Sequence, residues 1–182
     1  QYDTYMKQTY RNRCTILGAN GMLSLSIPVV KTNGTKTLVK DVHIDYSTRW
    51  QSNHWRSICS AYNSSPFFEY YSDEFAPFYE MNFKYLIDFN NRILEMILDL
   101  LGMKIKSVYT TNAYQKTIED AIDFRDVITP KKDYLGADPM FILEPYTQTF
   151  DEKMEFVPNL SIVDLLCNKG PEALSYLQRT LK

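Results

Sequence analysis

Two hydrophobic periods in one short chain limit what it can fold into. From Met22 to Val30 the apolar residues Leu23, Leu25 and Ile27 alternate with Ser24 and Ser26, the period of a strand with one buried face. From Leu86 to Leu101 the apolar residues return every three or four positions, so that Leu86, Phe89, Ile93, Ile97, Leu100 and Leu101 share one helical face. A chain carrying both periods needs a sheet with helices packed on it. Its 182 residues suit one domain with one sizeable core.

The remaining elements follow from their punctuation. Tyr10 to Ile16 reads as a strand, and Ala19-Asn20-Gly21 after it suits a turn with positive φ, so this strand and Met22 to Val30 form a β-hairpin. Thr32-Asn33-Gly34 is a second turn and Leu38 to Ile44 a third strand. Ser47 is the expected N-cap of a helix running to about Tyr62, stopped by Ser64-Ser65-Pro66. Phe67 to Phe83 reads as short aromatic helices broken near Pro77. Gly102 is the natural residue just past the helix from Leu86 to Leu101. Ile105 to Tyr109 reads as a strand, and Phe141 to Leu143 as a short one in a stretch punctuated by Pro130, Gly136, Pro139 and Pro145. Ser161 and Asp164 open a helix in the manner of a capping box. Gly170 closes it, and Pro171 takes the first position of a last helix. The expected architecture is a single α/β domain over residues 1–182. Its mixed sheet joins the N-terminal hairpin to the later strands, helices pack it, and the C-terminus is helical.

Composition narrows the function classes. Net charge is -2, without the positive field of a general nucleic-acid binder. The aromatic residues Tyr70, Tyr71, Phe75, Phe78 and Tyr79 are flanked by Glu69, Asp73, Glu74 and Glu80, where a stacking platform for single strands wants Lys and Arg. Cys14, Cys59 and Cys167 are widely spaced, and His43 and His54 are the only histidines. That pattern signals neither a disulfide framework nor a zinc site and points to a reducing compartment. No apolar run approaches the roughly 20 residues of a membrane span. GxGxxG, Walker, GxSxG and HExxH signatures are absent, so neither cofactor nor metal is expected.

Ordered short motifs add a resemblance. Tyr10-Arg11-Asn12-Arg13, the Asn-Gly turn and Ile27-Pro28-Val29 are followed by Trp50 and His54, Tyr62, Ser65-Pro66-Phe67-Phe68 and Tyr70. Leu86 with Asn90, Leu101-Gly102, Tyr146-x-Gln148-x-Phe150 and the run from Pro158 to Leu166 continue the series. In order and spacing this resembles the WbqC-like family. The resemblance implies a bacterial cytoplasmic protein, with some members in surface-polysaccharide (O-antigen) loci and suspected of acyl or aminoacyl transfer to amino sugars. Relatives usually begin with a strand and loop rich in Pro and aromatics, often with a His-Gln-Pro run. Nothing of that kind precedes Gln1, so the chain is expected to lack that N-terminal segment. It also departs from the pattern between Asp123 and Gly136.

Several residues carry two readings. Arg11 and Arg13, two apart in a strand, would share a face and form a fork for phosphate or carboxylate, with Asn12 turned away. Alternatively each pairs with one of the 22 carboxylates of the chain. Trp50 and His54, four apart on a helix, share a face with Ile58, Ala61 and Tyr62. His54 is either a core histidine or a general base at a pocket wall, with Trp50 stacked on a sugar or base. His43 is structural or exposed. Asn90, on the apolar face of its helix, holds a loop or reaches a ligand. Tyr146 and Gln148 line the same site or stitch a turn. Cys59 lies about 140° around the helix from His54, so the two do not face each other.

The expected function is an enzyme of bacterial surface-polysaccharide precursor metabolism. It binds a nucleotide-activated amino sugar or another anionic small molecule, with Arg11 and Arg13 on the phosphates and His54 near the chemistry. The alternative is a non-catalytic interaction or scaffold protein, a homodimer built through the C-terminal helices.

Overall fold

The hairpin forms where the turn signal places it. Arg13–Gly18 (β1) and Gly21–Ser26 (β2) pair antiparallel, with Thr15 opposite Ser24 and Ile16 opposite Leu23. The positive φ falls on Gly21, at 111°, and not on Asn20, since a residue without Cβ takes that conformation at least cost. The structure, a computed structural model, describes residues 2–30, 36–103, 112–116, 123, 129–130 and 141–181. Strand β1 starts at Arg13 instead of Tyr10. Strand β2 stops at Ser26 instead of Val30, just before Pro28, which has no N–H to give a ladder.

Among the described residues these two strands are the whole sheet. Leu38 to Ile44 is not a third strand. Val39–Asp41 closes a 3-10 turn, and His43 and Ile44 make single antiparallel bridges to Tyr85 and Val29. Phe141 likewise only bridges Leu181. The expected strand from Ile105 to Tyr109 and the turn Thr32-Asn33-Gly34 lie outside the described residues. The class is mixed α/β with a small sheet and a helical C-terminus.

Five α-helices are described: Trp50–Tyr62 (α1), Phe68–Phe75 (α2), Leu86–Leu100 (α3), Ile162–Lys169 (α4) and Ala173–Arg179 (α5). Ser47 does not cap α1, which starts three residues later with no side-chain cap. Asp45 Oδ1 instead accepts the Ser47 N–H at 2.8 Å and holds it in a turn. Pro77 is the second residue of a 3-10 turn, Ala76–Tyr79, that breaks the aromatic segment as expected. Helix α3 ends with Gly102 at φ 68°. The Gly102 and Met103 N–H groups reach back to the carbonyls of Asp99 and Leu98, both at 2.9 Å, the paired bonds of a Schellman ending. Ser161 caps α4 by accepting the Val163 N–H. Pro171 stands in a 3-10 turn, Gly170–Glu172, that leads into α5.

Two apolar clusters result. Ile16 and Leu25 of the hairpin pack with Ile58 and Tyr62 of α1, Phe75 of α2 and Leu166 of α4. Ile27, Val42 and Ile44 pack with Trp50, Leu86 and Phe89. Phe75, Leu86 and Leu166 are fully buried, each stabilising the fold by about 2–3 kcal/mol. Two long-range hydrogen bonds fasten the hairpin: the Ser161 N–H to the Thr15 carbonyl at 2.7 Å, and the Leu17 N–H to the Tyr62 hydroxyl at 3.4 Å. Among the described residues no helix is long and apolar enough to cross a membrane.

Candidate functional site

Where the two clusters meet, the packing leaves a cavity of about 190 Å³. The start of β1 contributes Arg13 and Cys14 to its wall, and the preceding turn contributes Arg11 and Asn12. Helix α1 adds His54 and Ile58. Helix α3 adds Phe89, Asn90, Ile93 and Ile97. Ser161 and Val163 close the side beneath the start of α4. No Asp or Glu stands among these lining residues.

The electrostatics of this wall are uneven. Arg11 is tied to Asp3, Nη2 to Oδ2 at 2.5 Å, so its charge is already balanced. Arg13 has no ion pair among the described residues, and its Nε is buried without a hydrogen-bond partner. Asn12 gives its Nδ2 to the Ile27 carbonyl at 2.9 Å, while its Oδ1 is buried and unpartnered. A buried donor and a buried acceptor are thus unpartnered on two residues of the cavity wall, as are Trp50 Nε1 and Asp164 Oδ1 in the core. Native interiors avoid such groups because each costs about 1–3 kcal/mol when unmet. The hydroxyl of Tyr5 is pushed up from its ordinary pKa by burial, and both Arg13 and Arg11 work in the opposite direction. That places both guanidiniums within electrostatic reach of one group.

His54 is 9% exposed. Its ring packs edge-on against Trp50, centroids 5.1 Å apart, and lies 6.4 Å from Tyr79. Burial lowers its pKa below the usual histidine value, and a hydrogen bond to the Ser26 backbone opposes this. The imidazole is therefore neutral at neutral pH. Tyr79 is partly buried; desolvation, with Cys14 adding to it, pushes its hydroxyl up and keeps it protonated. Cys14 is also pushed up by burial, which a hydrogen bond with Ser161 partly offsets, so it is a thiol and not a ready nucleophile.

The structure brings Arg11, Arg13, His54 and Asn90 to one cavity. Asn90 acts there through its Nδ2, which donates to the Arg11 backbone carbonyl at 2.8 Å. The other expected site residues lie elsewhere. Trp50 is 4% exposed and sits in the core between Tyr46 and Phe89. Tyr146 and Gln148 converge on Asp164. The Tyr146 hydroxyl donates to Oδ2 at 2.6 Å and Gln148 Nε2 at 3.3 Å. Gln148 also brackets Val157, taking its N–H at 2.9 Å and reaching its carbonyl at 2.8 Å. Asp164 is fully buried. Burial raises its pKa, against the donors Tyr146, Tyr62, Gln148 and Asn168. Its carboxyl faces this network and does not turn back to the start of α4, so only the Ser161 half of the expected capping box exists.

Asn12 is the residue that sequence reasoning missed. Strand alternation would turn it away from Arg11 and Arg13, but β1 begins only at Arg13, so alternation does not govern 11–13. No sequence signal marks Ser161 or Tyr79 as neighbours of Cys14, because they come from distant turns. Two other cavities lack open buried polar atoms in their walls. One of about 450 Å³ lies between the 3-10 turn at Ala76–Tyr79 and α3, with Arg92 at its edge in contact with Glu95 at 3.5 Å. The other, about 230 Å³, is lined by Tyr146, Phe156 and Tyr176. Among the described residues no three His, Cys, Asp or Glu side chains gather as a metal would require.

Comparison with known proteins identifies the family. A family model described as the WbqC-like protein family matches residues 2–139. The runs around Tyr146 and from Pro158 to Leu166 lie beyond that match. The chain is also similar to the uncharacterized protein Rv1507c of Mycobacterium tuberculosis (strain ATCC 25618 / H37Rv). The two are 26% identical over 200 residues, covering 96% of this chain and 84% of the relative. No solved structure matches the chain.

Proposed function

The chain belongs to the WbqC-like protein family, and from that premise we propose that it is an enzyme acting on a nucleotide-activated amino sugar of bacterial surface-polysaccharide metabolism. The observation that carries this reading is the Arg13 guanidinium, whose buried Nε has no partner beside a cavity without a carboxylate in its wall. A half-buried cation without an ion pair attracts an anion. The cavity, about 190 Å³, is smaller than the roughly 300–1,000 Å³ of pockets that enclose whole ligands. It therefore takes one group of the ligand, and the nucleoside lies outside.

The reaction class that fits is acyl or aminoacyl transfer from an activated donor to the amino group of the sugar. The amide bond forms, the leaving group of the donor departs with its electron pair, and the proton of the amine goes to His54. A neutral, buried imidazole suits that role. The test is a thermal-shift screen against nucleotide sugars. Saturation at about 100 times the dissociation constant adds roughly 2.7 kcal/mol. A shift in the native protein that disappears in Arg13→Ala supports the reading, and no shift with any nucleotide sugar removes it.

A second reading, a non-catalytic partner of another chain, draws on the groove of about 450 Å³ and on Met81 at its edge, 55% exposed. A dimer in sedimentation that Met81→Glu dissociates would favour it.

A further inference from the structure

The cavity between β1, α1 and α3 offers an occupant mainly hydrocarbon. We propose that it holds a medium-chain fatty acyl group, with a tail of about six to eight carbons inside and the carboxylate of the free acid at Arg13. The inference rests on the proposed acyl transfer, whose donor would carry this chain.

The polar side chains of the wall have most of their polar atoms turned to protein. Arg13 Nε and Asn12 Oδ1 are enclosed and do not reach the space. Asn12 Nδ2 goes to the Ile27 carbonyl and Asn90 Nδ2 to the Arg11 carbonyl. The His54 ring bonds the Ser26 backbone, and the Tyr10 hydroxyl accepts from Asn159 at 3.0 Å. What faces the space is mainly apolar, with Ile16, Ile58, Ile93, Ile97 and Val163 in the wall. A sugar or phosphate seated among them would give up water and meet few partners. A hydrocarbon gives up nothing and gains contact. Interiors pack closely, so an apolar hole of this size is costly to leave empty. An apolar cavity of about 150 Å³ takes benzene, with six carbons. At about 190 Å³ this one is slightly larger.

Exposure gives the direction of the chain. Ile16, Ile58 and Val163 are buried, Arg11 and Arg13 are half-buried, and Tyr10 is exposed. The tail therefore enters past the arginines and the head stays with them. Arg11 is balanced by Asp3, and Arg13 has no ion pair among the described residues, so the carboxylate falls to Arg13.

Wild-type protein is titrated by calorimetry with the straight-chain carboxylates from butanoate to dodecanoate, with octanol and with UDP-N-acetylglucosamine. Affinity is expected to rise about fourfold for each added methylene, to a maximum at octanoate, with no gain beyond decanoate. Ile97→Ala, which enlarges the space, moves the maximum to longer chains. Ile97→Phe, which fills it and spares every polar group, abolishes octanoate binding while circular dichroism and the melt show a folded chain. Arg13→Met weakens octanoate about tenfold and leaves octanol unchanged. Affinity that does not depend on chain length overturns the inference, as does a maximum that stays in place in Ile97→Ala. Equal loss of octanoate and octanol in Arg13→Met overturns the seat of the carboxylate. If the nucleotide sugar binds and no carboxylate does, the inference falls and the proposed function stands. If octanoate binds as expected and the nucleotide sugar does not, the inference stands and the nucleotide-sugar reading falls.

Discussion

Asn90 holds Arg11 by its backbone: the Asn90 Nδ2 donates to the Arg11 carbonyl at 2.8 Å across 79 positions of sequence. The bond fixes the turn before β1 to the middle of α3 and so sets the width of the cavity between them. Asn90→Ala removes it and leaves a partly buried carbonyl without its donor. The expected loss is about 1–2 kcal/mol in urea unfolding, with ligand protection weakened as the Arg13 wall loosens. Unchanged stability would mean that water replaces the amide.

Asp164 and His54 give the stability opposite pH slopes. Burial raises the Asp164 pKa in the fold, so the folded state holds its proton more tightly than the unfolded chain, where the value is about 3.9. Its contribution is full below that value and is lost as pH rises through the folded value. Asp164→Asn should flatten this decline in urea unfolding measured from about pH 4 upward. Asp164→Leu, which strands the donors from Tyr146 and Gln148, should cost about 3 kcal/mol or more at any pH.

For His54 the sign reverses. Its folded pKa lies below the ordinary value, so its contribution is full above about 6.5 and is lost as pH falls through the folded value. A proton NMR titration should place its midpoint below 6.5. His54→Gln should remove the acid-side loss. A midpoint at or above 6.5 would argue against a neutral base.

Gly170 has φ 53°, and a Cβ there would stand 2.5 Å from the Phe67 ring. Gly170→Ala combines backbone strain with an overlap that no small shift relieves, so a loss of about 2–4 kcal/mol is expected in thermal unfolding. Phe67→Leu in the same chain should recover part of it, and additive losses would show that the ring is not the obstacle.

Burial pushes the Cys167 thiol up to about 12, and the side chain is fully buried. In the native protein at pH 8 a thiol reagent should leave it unmodified and react with it once the chain is unfolded. Fast native labelling of Cys167 would mean that α4 opens readily.

How much of this was legible depends on where each residue finds its partner. The Leu25 and Ile27 alternation found its face locally, and both are buried. Leu23, on the same face by period, is 41% exposed, near the turn end of the hairpin. Leu38 to Ile44 reads as a strand by composition, but a strand needs a neighbour, and among the described residues this segment pairs only through single bridges. Trp50 and His54 do share a face, as four-residue spacing requires. That this face meets Phe89 for one residue and a cavity for the other is set by α3, more than thirty positions on. Asp164 occupies a capping position by spacing. Tyr146 and Gln148, sixteen to eighteen residues earlier, draw its carboxyl inward.

The bond from Ser161 to Thr15 has a consequence for synthesis. During translation the hairpin emerges early, but the partner of the Thr15 carbonyl is made almost 150 residues later. Contacts of such separation carry a large loop-closure cost and slow folding. A nascent chain stopped before α4 therefore carries β1 with only its Tyr62 fastening and the Ile16 cluster without Leu166, an exposed apolar face on which chaperones act.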